Sequence, residues 1–146
     1  MAIDNALKLG LEASFKVKDL NKAEEKESFD LIVDSSFLHC IVSDNERSNC
    51  YRFVKNNLSK DGLFFIHTMT ESNDMSEMLS AEHLFFENEI LWSTGKDSWS
   101  MDWEEVRGKR VFPHRRILSL SNLEEEINHN GFDIIESNSK ENGRNP

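Results

Sequence analysis

Residues 29–70, FDLIVDSSFLHCIVSDNERSNCYRFVKNNLSKDGLFFIHTMT, constrain the fold of this chain more than any other stretch. Phe29–Asp34 places Leu31, Ile32 and Val33 in a continuous branched run between acids, the pattern of a strand covered on both faces. Ser43 with Glu46 three residues on is a capping-box signature. Tyr51, Val54 and Leu58 follow at helical spacing, Asp61-Gly62 marks a stop, and Leu63–Ile66 is a second buried strand continuing through His67 to Thr70. A strand, a helix and a strand in this order predict two parallel neighbours joined by a crossover. Open sheets of this kind bind ligands beyond the C-terminal ends of their strands. Here those ends carry Asp34, Ser35, Ser36, Phe37, Leu38 and His39, then His67 and Thr68. The glycine-rich turn of a nucleotide-binding sheet is missing, since no G-x-G occurs in the chain.

The flanking segments are shorter signals. Ala2–Ala13 is an amphipathic helix weakened or ended by Gly10, and Ser14–Leu20 alternates as a short strand. Residues 71–113 lack a clean period, hold Trp92, Trp99 and Trp103, and show weak strand signals at 89–94 and 106–112. Arg115–Leu120 predicts a strand. Ser121 then caps a helix over Asn122–Asn130, with Glu124 as the capping-box partner and Gly131 as the stop. Phe132–Ser137 predicts a last strand, and the polar tail from Asn138 is expected to be disordered.

Composition narrows the function classes. The 146 residues suit one domain, and a 38% apolar content with a net charge of −10 describes a thin core under a heavily solvated surface. Such a chain is repelled by phosphate backbones, so nucleic acid is not an expected partner. The basic cluster Arg107, Lys109, Arg110, His114, Arg115 and Arg116 is read as a solvated strand pair balancing nearby acids. Cys40 and Cys50 form no C-x-x-C and are read as buried reduced thiols. His83, His114 and His129 share no ligand spacing, so no metal site is expected. No apolar run approaches a membrane span and the N-terminus is not a signal peptide, which makes a cytoplasmic location the expectation. There is no P-loop and no nucleophile elbow, which excludes kinase and hydrolase readings.

The order of these elements resembles a class I S-adenosylmethionine-dependent methyltransferase of the small-molecule type. FDLIVDSSFLHCI is similar to that family's fourth strand and the segment after it, and LSKDGLFFIHTM to the turn and fifth strand. HRRILSLSNLEEEINHNGFDIIES is similar to the late helix and its following strand, and AIDNALKLG with SFKVKDL to the second helix and third strand. The resemblance implies an α/β fold: a partial doubly wound (Rossmann-like) methyltransferase sheet with flanking helices, spanning residues 1–137, with an irregular substrate-cover insertion at 71–113. The family's D-x-G-x-G loop, its second-strand acid and its last strand have no counterpart here. The implied sheet is therefore short of strands, and its open edge is expected to pair with a second copy or a partner chain.

Methyl transfer asks mainly for alignment of acceptor and methyl, with a base where the acceptor is weakly acidic. By the resemblance, Asp19 accepts from the adenine amino group and Leu20 offers a backbone N–H; otherwise Asp19 is a strand-end acid in a charged loop. Asp34 would face the sulfonium or an amine, and Ser35, Ser36 and Phe37 would line the adenosine cavity. His39 is the candidate base, or else a satisfied core histidine. His67, Trp92, Trp99 and Trp103 would border the acceptor, or pack as a satellite core. S-adenosylmethionine binding is expected to be weak or lost without the glycine-rich loop. The expected function is the substrate-side portion of a small-molecule methyltransferase; the alternative is a non-enzymatic remnant acting as a binding or regulatory partner.

Overall fold

The computed structural model describes residues 2–23, 26–71, 79, 81–95 and 103–139. Helix α1 (Ala2–Lys8) is followed by a left-handed Gly10. Strand β1 (Phe29–Ser35) leads through a single 3-10 turn (Leu38–Cys40) into helix α2 (Asp44–Asn57) and strand β2 (Leu58–His67). β1 and β2 are parallel neighbours, Leu31 opposite Leu63 and Ser35 opposite His67. The predicted crossover is therefore the centre of the fold.

A second, four-stranded antiparallel sheet is built from β3 (Leu84–Glu87), β4 (Ile90–Ser93), β5 (Glu104–Val106) and β6 (Lys109–Arg116), in the order β3-β4-β6-β5. Helix α3 (Leu120–His129) follows. A parallel bridge between Thr70 and Leu118, with Glu71 N–H on the Leu118 carbonyl at 2.8 Å, joins the two sheets. Leu38, Cys50, Tyr51, Leu118 and Leu123 form the main core, with Phe64, Ile66 and Phe132 packed against it. Tyr51, Phe64 and Phe132 meet at ring-centroid distances of 5.6–6.4 Å, within the range of favourable aromatic pairs.

Several sequence-based expectations are corrected. The 71–113 stretch, expected to be irregular, contributes most of the antiparallel sheet. Its hairpins turn on Asn88-Glu89 and Arg107-Gly108, all four with positive φ between 51° and 71°. These are the backbone requirements of type I′ turns, but neither pair is the usual Asn-Gly or Asp-Gly signal. Residues 14–20 and 132–137 form no strand: among the described residues no strand pairs with them, Val17 and Ile135 are exposed, and Phe132 packs against the core instead. The strand expected at 115–120 ends at Arg116, because Ser119, not Ser121, caps the last helix by accepting the Asn122 N–H at 3.2 Å. That start sets Leu123 and Ile127 on the core-facing side.

Ser43 is the N-cap of α2, but its hydroxyl makes no capping bond. The helix stops at Asn57 rather than at Asp61-Gly62. Asn57 is buried, donates to the Phe53 carbonyl at 2.8 Å and accepts the Glu27 N–H at 2.7 Å, which closes the helix end by side chain. Cys40 is exposed and only Cys50 is buried, both as free thiols. Nor is the parallel pair covered on both faces: Leu31, Val33, Leu63 and Phe65 are more than half exposed. The doubly wound expectation thus holds on one side only. Residues 140–146 of the tail expected to be disordered, and Trp99, lie outside the described residues. Among the described residues no helix is long and apolar enough to cross a membrane, and no group of His, Cys, Asp and Glu is placed to hold a metal ion.

Gly62 sits where β2 shifts register against β1, and a Cβ there would lie 2.9 Å from the Phe29 carbonyl oxygen. Backbone cannot yield as a flexible side chain does. Gly62→Ala is expected to cost about 1–3 kcal/mol, the range for overpacking, read as a lowered urea midpoint at unchanged m-value.

Candidate functional site

The site is assembled where β1 ends. Asp34 is buried, and its two carboxylate oxygens accept the N–H groups of Phe37 at 2.8 Å and Leu38 at 3.1 Å. The acid expected at a ligand therefore also holds the turn that follows it. Ser36 adopts a left-handed φ of 66° and donates its N–H to the His67 carbonyl at 2.7 Å. A serine in that region carries about 1–3 kcal/mol of strain, which persists only where surrounding bonds enforce it. Its hydroxyl lies 3.4 Å from His67 Nδ1, and His67 is exposed. Ser35 pairs with His67 across the strand ends.

His39 is buried behind this rim. Its Nδ1 lies 3.2 Å from Thr68 Oγ1 and accepts the Met69 N–H at 3.5 Å, leaving Nε2 to carry the proton of the neutral ring. Burial first, then the Arg115 charge, holds its pKa below the ordinary histidine value, against the opposing pull of Asp34.

The turn is fastened from below by Arg47. This guanidinium donates to the carbonyls of Leu38 at 2.7 Å and Ile41 at 3.1 Å, and grips Glu126 of α3 through Nε and Nη2 at 2.7–3.1 Å. Tyr51 Oη donates to Glu126 at 2.7 Å, and burial with that neighbouring charge pushes its pKa far up. No sequence motif marks this clasp; a buried arginine 79 residues from its partner leaves no local signal.

A cavity of about 280 Å³ opens between this turn and residues 18–21. Leu20, Phe37 and Ile41 are its apolar part, with Asp19 and Glu46 its acids. Asp19 accepts the Asn21 N–H at 3.1 Å and pairs with Lys22 at 3.3 Å, so it is both a turn former and a cavity residue. Of the predicted residues, the structure brings Asp19, Leu20 and Phe37 to the cavity, and Asp34, Ser35, Ser36, His39 and His67 to the adjoining strand ends. Cys40, Glu46 and Cys50 also line the cavity. The i,i+4 spacing of Glu46 and Cys50 was the available signal for the last two. Burial pushes the Cys50 thiol up to about 11, with Asp34 adding to it.

The two described tryptophans, Trp92 and Trp103, do not line this cavity. Trp92 is buried in β4 and donates to the Glu87 carbonyl at 3.2 Å. Trp103, half exposed, stacks under Arg110 at 4.6 Å. The basic cluster lies on and beside β6, where Arg107 pairs with Glu87 at 2.7 Å and Arg116 with Asp44.

No protein-family model matches this chain, and no curated protein matches it. A solved S-adenosylmethionine-dependent methyltransferase from Clostridium acetobutylicum ATCC 824 matches it in structure, with a TM-score of 0.58 over 92% of this chain at 17% identity. The fold is methyltransferase-like. The chain spans 60% of the length of that methyltransferase chain.

Two outcomes are expected from these contacts. Glu126→Ala strands the buried Arg47 charge and should cost about 3–5 kcal/mol, with faster hydrogen exchange at residues 38–41 than global unfolding explains. His39 has a folded pKa below its unfolded one, so between the two the unfolded chain binds more protons. His114, also depressed chiefly by burial, acts in the same direction. Stability should be fully present above about pH 6.5 and fall as the pH drops below it, with a shallower fall in His39→Gln, measured by urea titration.

Proposed function

We propose that this chain is the substrate-side portion of an S-adenosylmethionine-dependent methyltransferase acting on a small-molecule acceptor. The observation that carries the reading is the cavity between the 37–41 turn and residues 18–21, lying beside the C-terminal end of β1 in a methyltransferase-like fold. Ligands of open α/β sheets bind at this end. Leu20, Phe37 and Ile41 suit a flat heteroaromatic ring, and the Asp19 carboxylate suits its exocyclic amine. The volume falls just under the roughly 300–1,000 Å³ of small-molecule sites, so it suits the adenosine end rather than the whole cofactor.

When bound, the cofactor would supply an activated methyl group on a sulfonium. The chain's own residues would orient: Asp34 holds the turn that forms the cavity wall, and Arg47 fixes that turn from the other side. An acceptor lying over the strand ends would meet Ser36 and His67. His39, with Nδ1 occupied, would act as the candidate base only by exchanging its tautomer, and otherwise steadies the end of β2. No G-x-G turn is present to hold the methionine end. Two absent sets of charge-assisted hydrogen bonds, about 1.5–3 kcal/mol each, weaken binding by several orders of magnitude.

The alternative, a methyltransferase-like protein that binds a partner without catalysis, is favoured by the sheet face left bare among the described residues. Isothermal titration separates the two. Adenosine and S-adenosylhomocysteine should bind with similar, weak affinities, about millimolar, and Asp19→Ala should weaken both severalfold. No heat from either ligand at saturating concentration, in protein folded by circular dichroism, would remove the cofactor reading and leave the partner reading.

A further inference from the structure

One face of the β1–β2 pair is uncovered among the described residues. Leu31 stands opposite Leu63 and Val33 opposite Phe65, and these four are 52–57% exposed. Phe29 extends the patch at one end, and the last rung, Ser35 with His67, closes it at the other. No acidic side chain occurs on these rungs, in a chain with 27 acids. A second apolar surface is uncovered among the described residues: Ile3 and Leu7 of α1, and Leu11 after it, are 58–71% exposed.

We propose that two copies of this chain associate through this face, each contributing its bare β1–β2 surface and its α1 segment. Area supports a copy as the occupant. The five face side chains, about half exposed, offer on the order of 500 Å², short of the roughly 800 Å² per partner of a stable interface. The α1 segment adds a similar amount, and together they reach that size. Charge supports it also. Two chains of net −10 repel over most of their surfaces, and the uncharged rungs are where like copies can meet without opposing carboxylates. Residues 1–22 carry four lysines against three acids, while the remaining residues carry 13 basic against 24 acidic ones. The N-terminal segment therefore adds little to the repulsion between copies. A patch that meets itself across a two-fold axis closes as a dimer.

The test is light scattering and sedimentation of the full chain over a wide concentration range. A mass of twice 17.0 kDa is expected at the upper end, tightening with added salt as the repulsion is screened. Melting temperature should rise with protein concentration. Phe65→Asp and Leu7→Asp should each weaken association at least tenfold, with circular dichroism unchanged because both residues are exposed in the single chain. A single-chain mass throughout, with melting independent of concentration, overturns the proposal, and this arm needs no variant. So does a dimer that survives both substitutions, or growth without limit as concentration rises.

Discussion

Arg47, 2% exposed, joins three elements: the turn after β1, helix α2 and helix α3. The Leu38 carbonyl, which also accepts the Ile41 N–H at 3.1 Å, and the Ile41 carbonyl lie where the backbone has left the strand and not yet entered the helix. Buried acceptors of this kind must be paired. Arg47 pairs both, and Glu126 neutralises it with a fork-to-fork geometry that a lysine would not reproduce. Tyr51 then brings the same carboxylate into contact with the aromatic group it forms with Phe64 and Phe132. The cavity wall is thus set by a long-range ion pair on one side and by Asp34 on the other, and the strained Ser36 is held between them.

The parallel pair itself is asymmetric. Its even-numbered side chains, Ile32, Phe64 and Ile66, face the helices, and its odd-numbered ones stand in solvent. A two-stranded sheet with one bare face is a marginal unit, and here it is steadied through the Thr70–Leu118 bridge by the antiparallel sheet. In that second sheet Leu91, Trp92 and Val111 are buried. Trp92, which a methyltransferase resemblance puts near an acceptor, is occupied there by burial and by its bond to the Glu87 carbonyl.

Much of the site was legible because its signals are local. The acid at the end of β1, the serines after it and the histidine that ends β2 are neighbours in sequence and in register, so a crossover reading places them together. Leu20 was legible only through resemblance, whereas Phe37 followed from its place just after β1. The clasp was not legible at all, since Arg47 reads as an exposed position of a charged helix. The hairpins at Asn88-Glu89 and Arg107-Gly108 were missed for the same reason: positive φ at Asn, Glu and Arg is imposed by strand pairing and not announced by residue type.

The sequence by itself determined the β1–α2–β2 unit, the end of α3 at Gly131 and the residues that crowd the strand ends, because branched runs, helical spacing and turn residues act over a few positions. Tertiary structure alone decided which faces are covered, where Ser119 and Asn57 bound their helices, and that residues 14–20 and 132–137 stay unpaired. A strand needs a neighbour for its backbone hydrogen bonds and an apolar face needs another surface to exclude water, and neither requirement is met within the segment that expresses it.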